Sequence, residues 1–383
     1  MKKLFVILLL IVISNQLFAE ENVIINAYNR TSFSLNGKWH YIVDPYENGF
    51  YDYRYKPFDD YDNPEQSGGY FVNQKPQNKS DRVEYDFDKS DQLNVPGDWN
   101  SQKEKLYYYE GTIWYKKSFD YRKKKDDNRV FIYFGAANYQ ADVYLNARKL
   151  GVHKGGFTPF NFEITDILKE KDNFVIVKVD NKRHAAEVPT LNTDWWNFGG
   201  LTRDVKIIEV PATFISDYFL QLKKGSLEQL TGYVQLDGSA LAGQEIDLSI
   251  PGLNIRKKLV TDENGKAAID LTAKNINHWS PENPYLYQVM FASGDDQVSD
   301  DIGFRSITTR GRDILLNGEP VFLRGICIHE ENPMRGGRAY SIEDARTLLT
   351  WAQELGCNFV RLAHYPHNEH TIRLADKMGI MVW

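Results

Sequence analysis

From residue 22 to 211 the chain is a succession of short runs with period-two alternation of apolar and polar positions, separated by turn-forming clusters. Val130-Phe131-Ile132-Tyr133-Phe134, Ala141-Asp142-Val143-Tyr144-Leu145, Phe174-Val175-Ile176-Val177-Lys178-Val179 and Val205-Lys206-Ile207-Ile208 are examples. No long helical period interrupts them, so the pattern predicts an antiparallel β-domain. A stretch rich in Tyr, Asp, Asn, Pro and Gly, residues 46–91, breaks the series. An insertion of that length in a compact domain is expected to be functional or mobile.

A second series follows Pro211, with strands expected at 218–222, 232–236, 246–250, 268–271 and 286–291 and a turn at Asp262-Glu263-Asn264-Gly265. It fits a small β-sandwich of about 100 residues. The segment Trp279-Ser280-Pro281-Glu282-Asn283-Pro284 reads as a rigid connection ahead of the last strand. After Arg305 the period changes. Strands are expected at 321–326, 358–362 and 380–383, with helices at 341–355 and 368–378. The first helix has Ser341 and Asp344 in capping-box spacing, an apolar stripe from Ile342 to Leu355 and Gly356 just beyond its end. Strand, helix, strand, helix, strand with short joints means parallel β/α units. So few units in under 80 residues cannot close an eightfold barrel, which takes about 250. The expectation is a chain cut short inside a barrel.

The first residues add a separate element: Lys2 and Lys3, an apolar run from Leu4 to Ile13, polar Ser14-Asn15-Gln16 and a small residue at Ala19. This is the order of a secretory signal, with cleavage expected near Ala19 and export to the periplasm or the extracellular space. Ten apolar residues are too few to span a bilayer, although an uncleaved anchor stays open because Leu17 sits poorly for a peptidase. The formal charge is −6, with both signs interspersed and no basic stripe. Nucleic acid is therefore excluded as a partner. Cys327 and Cys357, the two cysteines, fall in apolar runs and are expected to be buried free thiols. Aromatic residues reach 14%, which suits both strands and clefts in which rings stack on sugar faces.

In parallel β/α folds the working groups gather at the C-terminal ends of strands. Here those ends hold His329-Glu330-Glu331, then Arg361 with His364-Tyr365-Pro366-His367. Arg361 and His364 have opposite strand parity and share one cleft only if the strand ends between them. His329, His364, His367 and His370 do not have the spacing of a helical metal pair, and no cofactor requirement is legible. No serine-hydrolase elbow, phosphate loop or dinucleotide fingerprint is present.

Ile302-Gly303-Phe304-Arg305, Leu316-Asn317-Gly318-Glu319-Pro320, Leu323-Arg324-Gly325 with His329-Glu330, and Asn358-Phe359-Val360-Arg361-Leu362-Ala363-His364-Tyr365-Pro366 resemble glycoside hydrolase family 2. Upstream, Gly135-Ala136-Ala137-Asn138, Gly155-Gly156-Phe157-Thr158-Pro159-Phe160 and Gly199-Gly200-Leu201-Thr202-Arg203-Asp204 are similar to its sugar-binding domain. The resemblance implies a jelly-roll β-sandwich over 20–211, an immunoglobulin-like β-sandwich over 212–308 and the start of a catalytic (β/α)8 TIM barrel over 309–383. It implies hydrolysis of terminal β-glycosides with retention, galactosides placed slightly ahead of glucuronides, on a glycoside or oligosaccharide partner, with a homo-oligomer open for the full-length form. Asp194 would bind sugar hydroxyls, His329 would line the site of the terminal sugar, and Arg361 and His364 would orient the substrate and the nucleophile. Gly199-Gly200 and Arg203-Asp204 read as structural, a backbone turn plus an internal ion pair. A buried Arg361 would need a carboxylate partner. Retention needs two carboxylates about 5–5.5 Å apart; by resemblance both follow later barrel strands, Glu330 and Glu331 are not their equivalents, and the chain alone is expected to be inactive. A non-catalytic carbohydrate-binding protein built of the two β-domains is the alternative reading.

Overall fold

The computed structural model describes residues 23–80 and 85–383; the expected secretory signal lies outside them. The N-terminal unit is a sandwich. A six-stranded antiparallel sheet runs Gln92–Val95, Gly37–Val43, Thr112–Phe119, Asn173–Asp180, Gln140–Leu145, Arg148–Lys154. It faces a four-stranded sheet ordered Ser32–Ser34, Val205–Val210, Arg129–Phe134, Phe160–Glu163. Between them lies a core that includes Trp39, Trp99, Ile113, Tyr115, Val143, Val177 and Ile207.

The 46–91 insertion has a structural task. Its Phe50, Phe71 and Phe87 pack on Trp114, Tyr144 and Ile176, the residues of the large sheet that point away from the core, and Phe71 stacks on Tyr144 at 4.5 Å. Both faces of that sheet are therefore covered, and strands such as Thr112–Phe119 are buried on both sides over most of their length.

The second unit packs a three-stranded sheet, Thr213–Leu222, Gln229–Gly238 and Lys266–Thr272, on a four-stranded one, Ile255–Val260, Glu245–Ile250, Tyr287–Ser293 and Asp296–Ile302. Alternate residues meet in a single core around Val234, Leu248, Ile269 and Phe291. Tyr287–Ser293 is followed by one further strand in this sheet, Asp296–Ile302, so it is not the last.

The third unit is a partial TIM barrel. Strands Gly325–Ile328, Phe359–Leu362 and Met381–Val382 pair in parallel, joined by helices Ile342–Glu354 and Glu369–Met378. The Ser341–Asp344 capping box forms, and Gly356 takes the left-handed conformation after the helix. The first strand begins four residues later than its apolar run. Val321 donates its N–H to Ile314 O, and Val321 and Leu323 pack with Trp279, Leu316 and Met381 at the junction with the second unit.

The shift also explains the cysteines, which are free but not buried. Ile326 and Ile328 face the helices, so Cys327, with opposite parity, points to the barrel's inner face and is exposed. Cys357, in the turn before the second strand, is partly exposed. No helix among the described residues is long and apolar enough to cross a membrane.

Candidate functional site

The strand Phe359–Leu362 ends between Arg361 and His364, as a shared cleft requires. Arg361 Nη2 lies 3.1 Å from His364 Nδ1. The guanidinium is half-buried and rests over the Trp383 ring, 5.4 Å from its centroid, with Nη1 3.8 Å from Cys327 Sγ. Its neighbours among the described residues thus include an imidazole, an indole and a thiol.

His329, at the end of the neighbouring strand, meets His364 edge to face at 5.3 Å. Onto this pair the N-terminal unit lowers Trp195, whose ring lies 5.3 Å from His364 and 6.2 Å from His329. Trp195 Nε1 and His329 Nδ1 are buried without a partner among the described residues. Buried polar atoms normally find one, and sugar hydroxyls supply both donors and acceptors.

Trp195 is held by amide ladders. Asn197 and Asn181 exchange side-chain-to-carbonyl bonds of 2.6 and 3.0 Å, and Asn138 Nδ2 donates to Asn197 Oδ1 and Phe198 O. The glycine pair is structural for a visible reason. A Cβ on Gly199 would enter the Trp99 indole, and Gly200 has φ +129°. Asp194 stands apart from the three barrel residues. It is exposed and lines an adjoining cavity of about 430 Å³ with Trp195, Trp196, Tyr107 and Tyr108, so Trp195 is the residue that joins it to the barrel cluster.

A buried polar network fixes the barrel strand ends against the sandwich. Arg203 donates through Nη1 to Phe157 O at 2.8 Å and through Nη2 to Pro366 O at 2.7 Å and Glu330 Oε2 at 3.0 Å. The expected internal ion pair therefore exists, but it runs from Arg203 to Glu330, while Asp204 accepts from Asn36. Glu330 also accepts the N–H of Asn368, the cap of the last helix. Tyr365 stacks on Phe157 at 4.0 Å and accepts from Arg338 Nη1 at 2.7 Å. Arg338 N in turn donates to Asp98 Oδ2. Gly337, at φ +79°, allows this approach, since a Cβ there would collide with Ser101 and Asp98.

Burial lifts the Tyr365 hydroxyl above its ordinary range and pushes the His367 and His370 imidazoles below theirs. Burial thus favours the neutral form of both imidazoles. Among the described residues no group of three acidic, His or Cys side chains is placed to hold a metal ion. Sequence reasoning left Trp195, Arg338 and the Glu330–Arg203 pair without a role. Only the runs flanking Trp195 and Glu330 marked the neighbourhood.

Comparison with known proteins identifies the family. Three family models match in order: the glycosyl hydrolases family 2 sugar-binding domain over residues 33–211, the glycosyl hydrolases family 2 domain over 213–305 and the family 2 TIM barrel domain over 307–383. A putative β-glucuronidase of Formosa agariphila is 30% identical over 306 residues, covering 76% of this chain and 37% of its own. The β-galactosidase of Thermoanaerobacter pseudethanolicus is 29% identical over 335 residues, 80% of this chain and 44% of its own. The chain spans less than half of the length of these two relatives. Among solved structures, the Bifidobacterium dentium β-glucuronidase superposes with a TM-score of 0.77 at 23% identity, over 92% of this chain and 61% of that one. A Ruminococcus gnavus β-glucuronidase gives 0.75 at 24% identity, over 94% and 59%. The three units, their order and the matched segments together establish that the chain belongs to family 2 of the glycosyl hydrolases.

Proposed function

We propose that this chain is the substrate-recognising part of an exported exo-β-glycosidase that removes terminal β-linked galactose or glucuronate with retention. The observation that carries the reading is the meeting of Trp195, His329, His364 and Arg361 at the barrel strand ends, with two buried polar atoms lacking partners among the described residues. Similar proteins named as β-glucuronidases and β-galactosidases support the substrate class.

In this reading the terminal sugar sits against the Trp195 ring, its hydroxyls bonded by His329 and by Asp194 from the cavity edge. Arg361 and His364 form a coupled donor pair directed at the substrate and at the nucleophile. Two carboxylates from later barrel strands supply nucleophile and acid/base. Glu330 is unavailable for either role because Arg203 and the Asn368 N–H occupy it. The 383-residue chain is accordingly inactive by itself.

The test compares this chain with a version extended through the barrel on 4-nitrophenyl β-galactoside and β-glucuronide. Turnover is expected only from the extended protein, and turnover by the short chain overturns the reading. Export is tested by sizing and N-terminal sequencing of the secreted product, expected to begin near Glu20.

A further inference from the structure

Beside the Trp195 cluster lies a second aromatic group that the reading above does not use. Tyr107, Tyr108 and Trp196 form a triangle, with ring centroids 4.8 Å apart for the tyrosines and 5.0 and 5.7 Å from each to the indole. Tyr108 is 82% exposed and Tyr107 47%. Tyr46, Tyr53 and Tyr55 are as exposed as Tyr108, so exposure alone carries no meaning; what distinguishes this group is that its rings are contiguous and line a cavity.

The group is built, not incidental. Asn100, buried, donates through Nδ2 to the carbonyls of Leu106, Tyr107 and Tyr109 at 3.0–3.2 Å and accepts the Gly199 N–H at 2.9 Å. One amide therefore fixes the loop bearing Tyr107 and Tyr108 against the loop bearing Asp194, Trp195 and Trp196. Polar groups surround the rings. Asp194 is exposed and accepts no hydrogen bond among the described residues, and Arg183 is tied to Glu110 at 2.7 Å on the same cavity wall.

The position is also informative. Tyr107 and Trp196 line both this cavity and the one of about 690 Å³ that includes His329. The triangle thus sits where a chain leaving the terminal-sugar site would pass. Flat ring faces with the Arg183–Glu110 pair on the same cavity wall suit a pyranose, whose C–H face is apolar and whose rim carries hydroxyls.

Resting on the proposed function, we infer that Tyr107, Tyr108 and Trp196 form a subsite for the second sugar ring, so that the preferred substrates are oligosaccharides and not glycosides of small alcohols.

The experiment is saturation-transfer NMR on the 383-residue chain. The probes are lactose against methyl β-D-galactoside, and a β-D-glucuronyl-glucose disaccharide against methyl β-D-glucuronide. Saturation is expected on both rings of at least one disaccharide, which should bind about fivefold or more tightly than its matched monosaccharide. In Tyr108→Ala the second ring should lose its signal while the terminal ring keeps it. Tyr108→Phe should restore it, and Tyr46→Ala, an equally exposed site outside this cavity, should change nothing.

Equal binding of disaccharide and monosaccharide, or a second-ring signal indifferent to Tyr108→Ala, overturns the subsite and leaves the terminal-sugar reading standing. Binding of none of the four probes overturns both.

Discussion

Replacing Glu330 by Gln tests whether charge locks the barrel strand ends onto the sandwich. Its carboxylate and the Arg203 guanidinium are both nearly inaccessible, with side-chain exposures of 2% and 7%. At the observed 3.0 Å and an effective dielectric of about 20, their attraction is on the order of 5 kcal/mol. Desolvation offsets much of it, but removing one partner strands the other charge, which typically costs about 3–5 kcal/mol. Gln adds a conflict, because the carboxylate receives N–H groups from both Arg203 and Asn368, so an amide nitrogen facing either one is an unpaired donor. The assay is a double-mutant cycle of Glu330→Gln and Arg203→Met, measured by urea unfolding followed through tryptophan fluorescence. Each single variant should lose about 3 kcal/mol or more, and the double variant should lose less than the sum by about 2 kcal/mol. Losses that add within about 0.5 kcal/mol would show that the pair is not coupled and refute the reasoning.

Acid should loosen the same interface. His367 and His370 have folded pKa values held below the ordinary one by burial, so the unfolded chain binds more protons as pH falls through about 6.5. The stability they contribute is complete above that value and is lost down to their folded pKa values; a His367→Asn/His370→Asn variant should show a smaller drop in melting temperature between pH 7.5 and 5.5 than the parent. Ser341→Ala removes the cap oxygen that accepts the Asp344 N–H and should destabilise the barrel segment by about 1 kcal/mol, read as faster amide exchange across Ile342–Glu354. Residues 309–383 expressed alone should aggregate, since Phe322, Trp351 and Leu355 are exposed and the strand Gly325–Ile328 is an open sheet edge; a monomeric, cooperatively melting segment would count against this.

What the sequence displayed and what it hid divide along contact distance. The helix Ile342–Glu354 was legible because its cap, stripe and terminal glycine are all local. The first barrel strand was misplaced because a run of apolar residues looks the same whether it enters a sheet or packs at a junction between units. Here Val321 and Leu323 take the second course. The strands Ile255–Val260 and Asp296–Ile302 escaped notice because they are sheet edges, the first mostly exposed and the second mostly polar. Strand-end chemistry could be read at His329, Arg361 and His364, since parallel units dictate where such residues go. The partners of Arg203, lying 127 and 163 residues away in sequence, left no local trace.

That division bears on how the site is held. Trp195 belongs to the sandwich and His329 and His364 to the barrel, so their 5–6 Å spacings exist only while the two units stay docked. The Glu330–Arg203 pair, the Tyr365–Phe157 stack and the Arg338–Asp98 bond all cross that boundary directly behind the residues proposed to bind sugar. Glu330 follows His329 and Tyr365 follows His364 in the chain, so each site imidazole is flanked by an anchor on the adjacent residue. Loss of an anchor should therefore weaken sugar binding through misplacement of its neighbour, even though no anchor touches the ligand. The two effects separate by measurement. Glu330→Gln should lower affinity for the terminal sugar while leaving the Tyr108-dependent signal of the second ring, since the Asn100 amide that fixes that loop lies wholly within the sandwich.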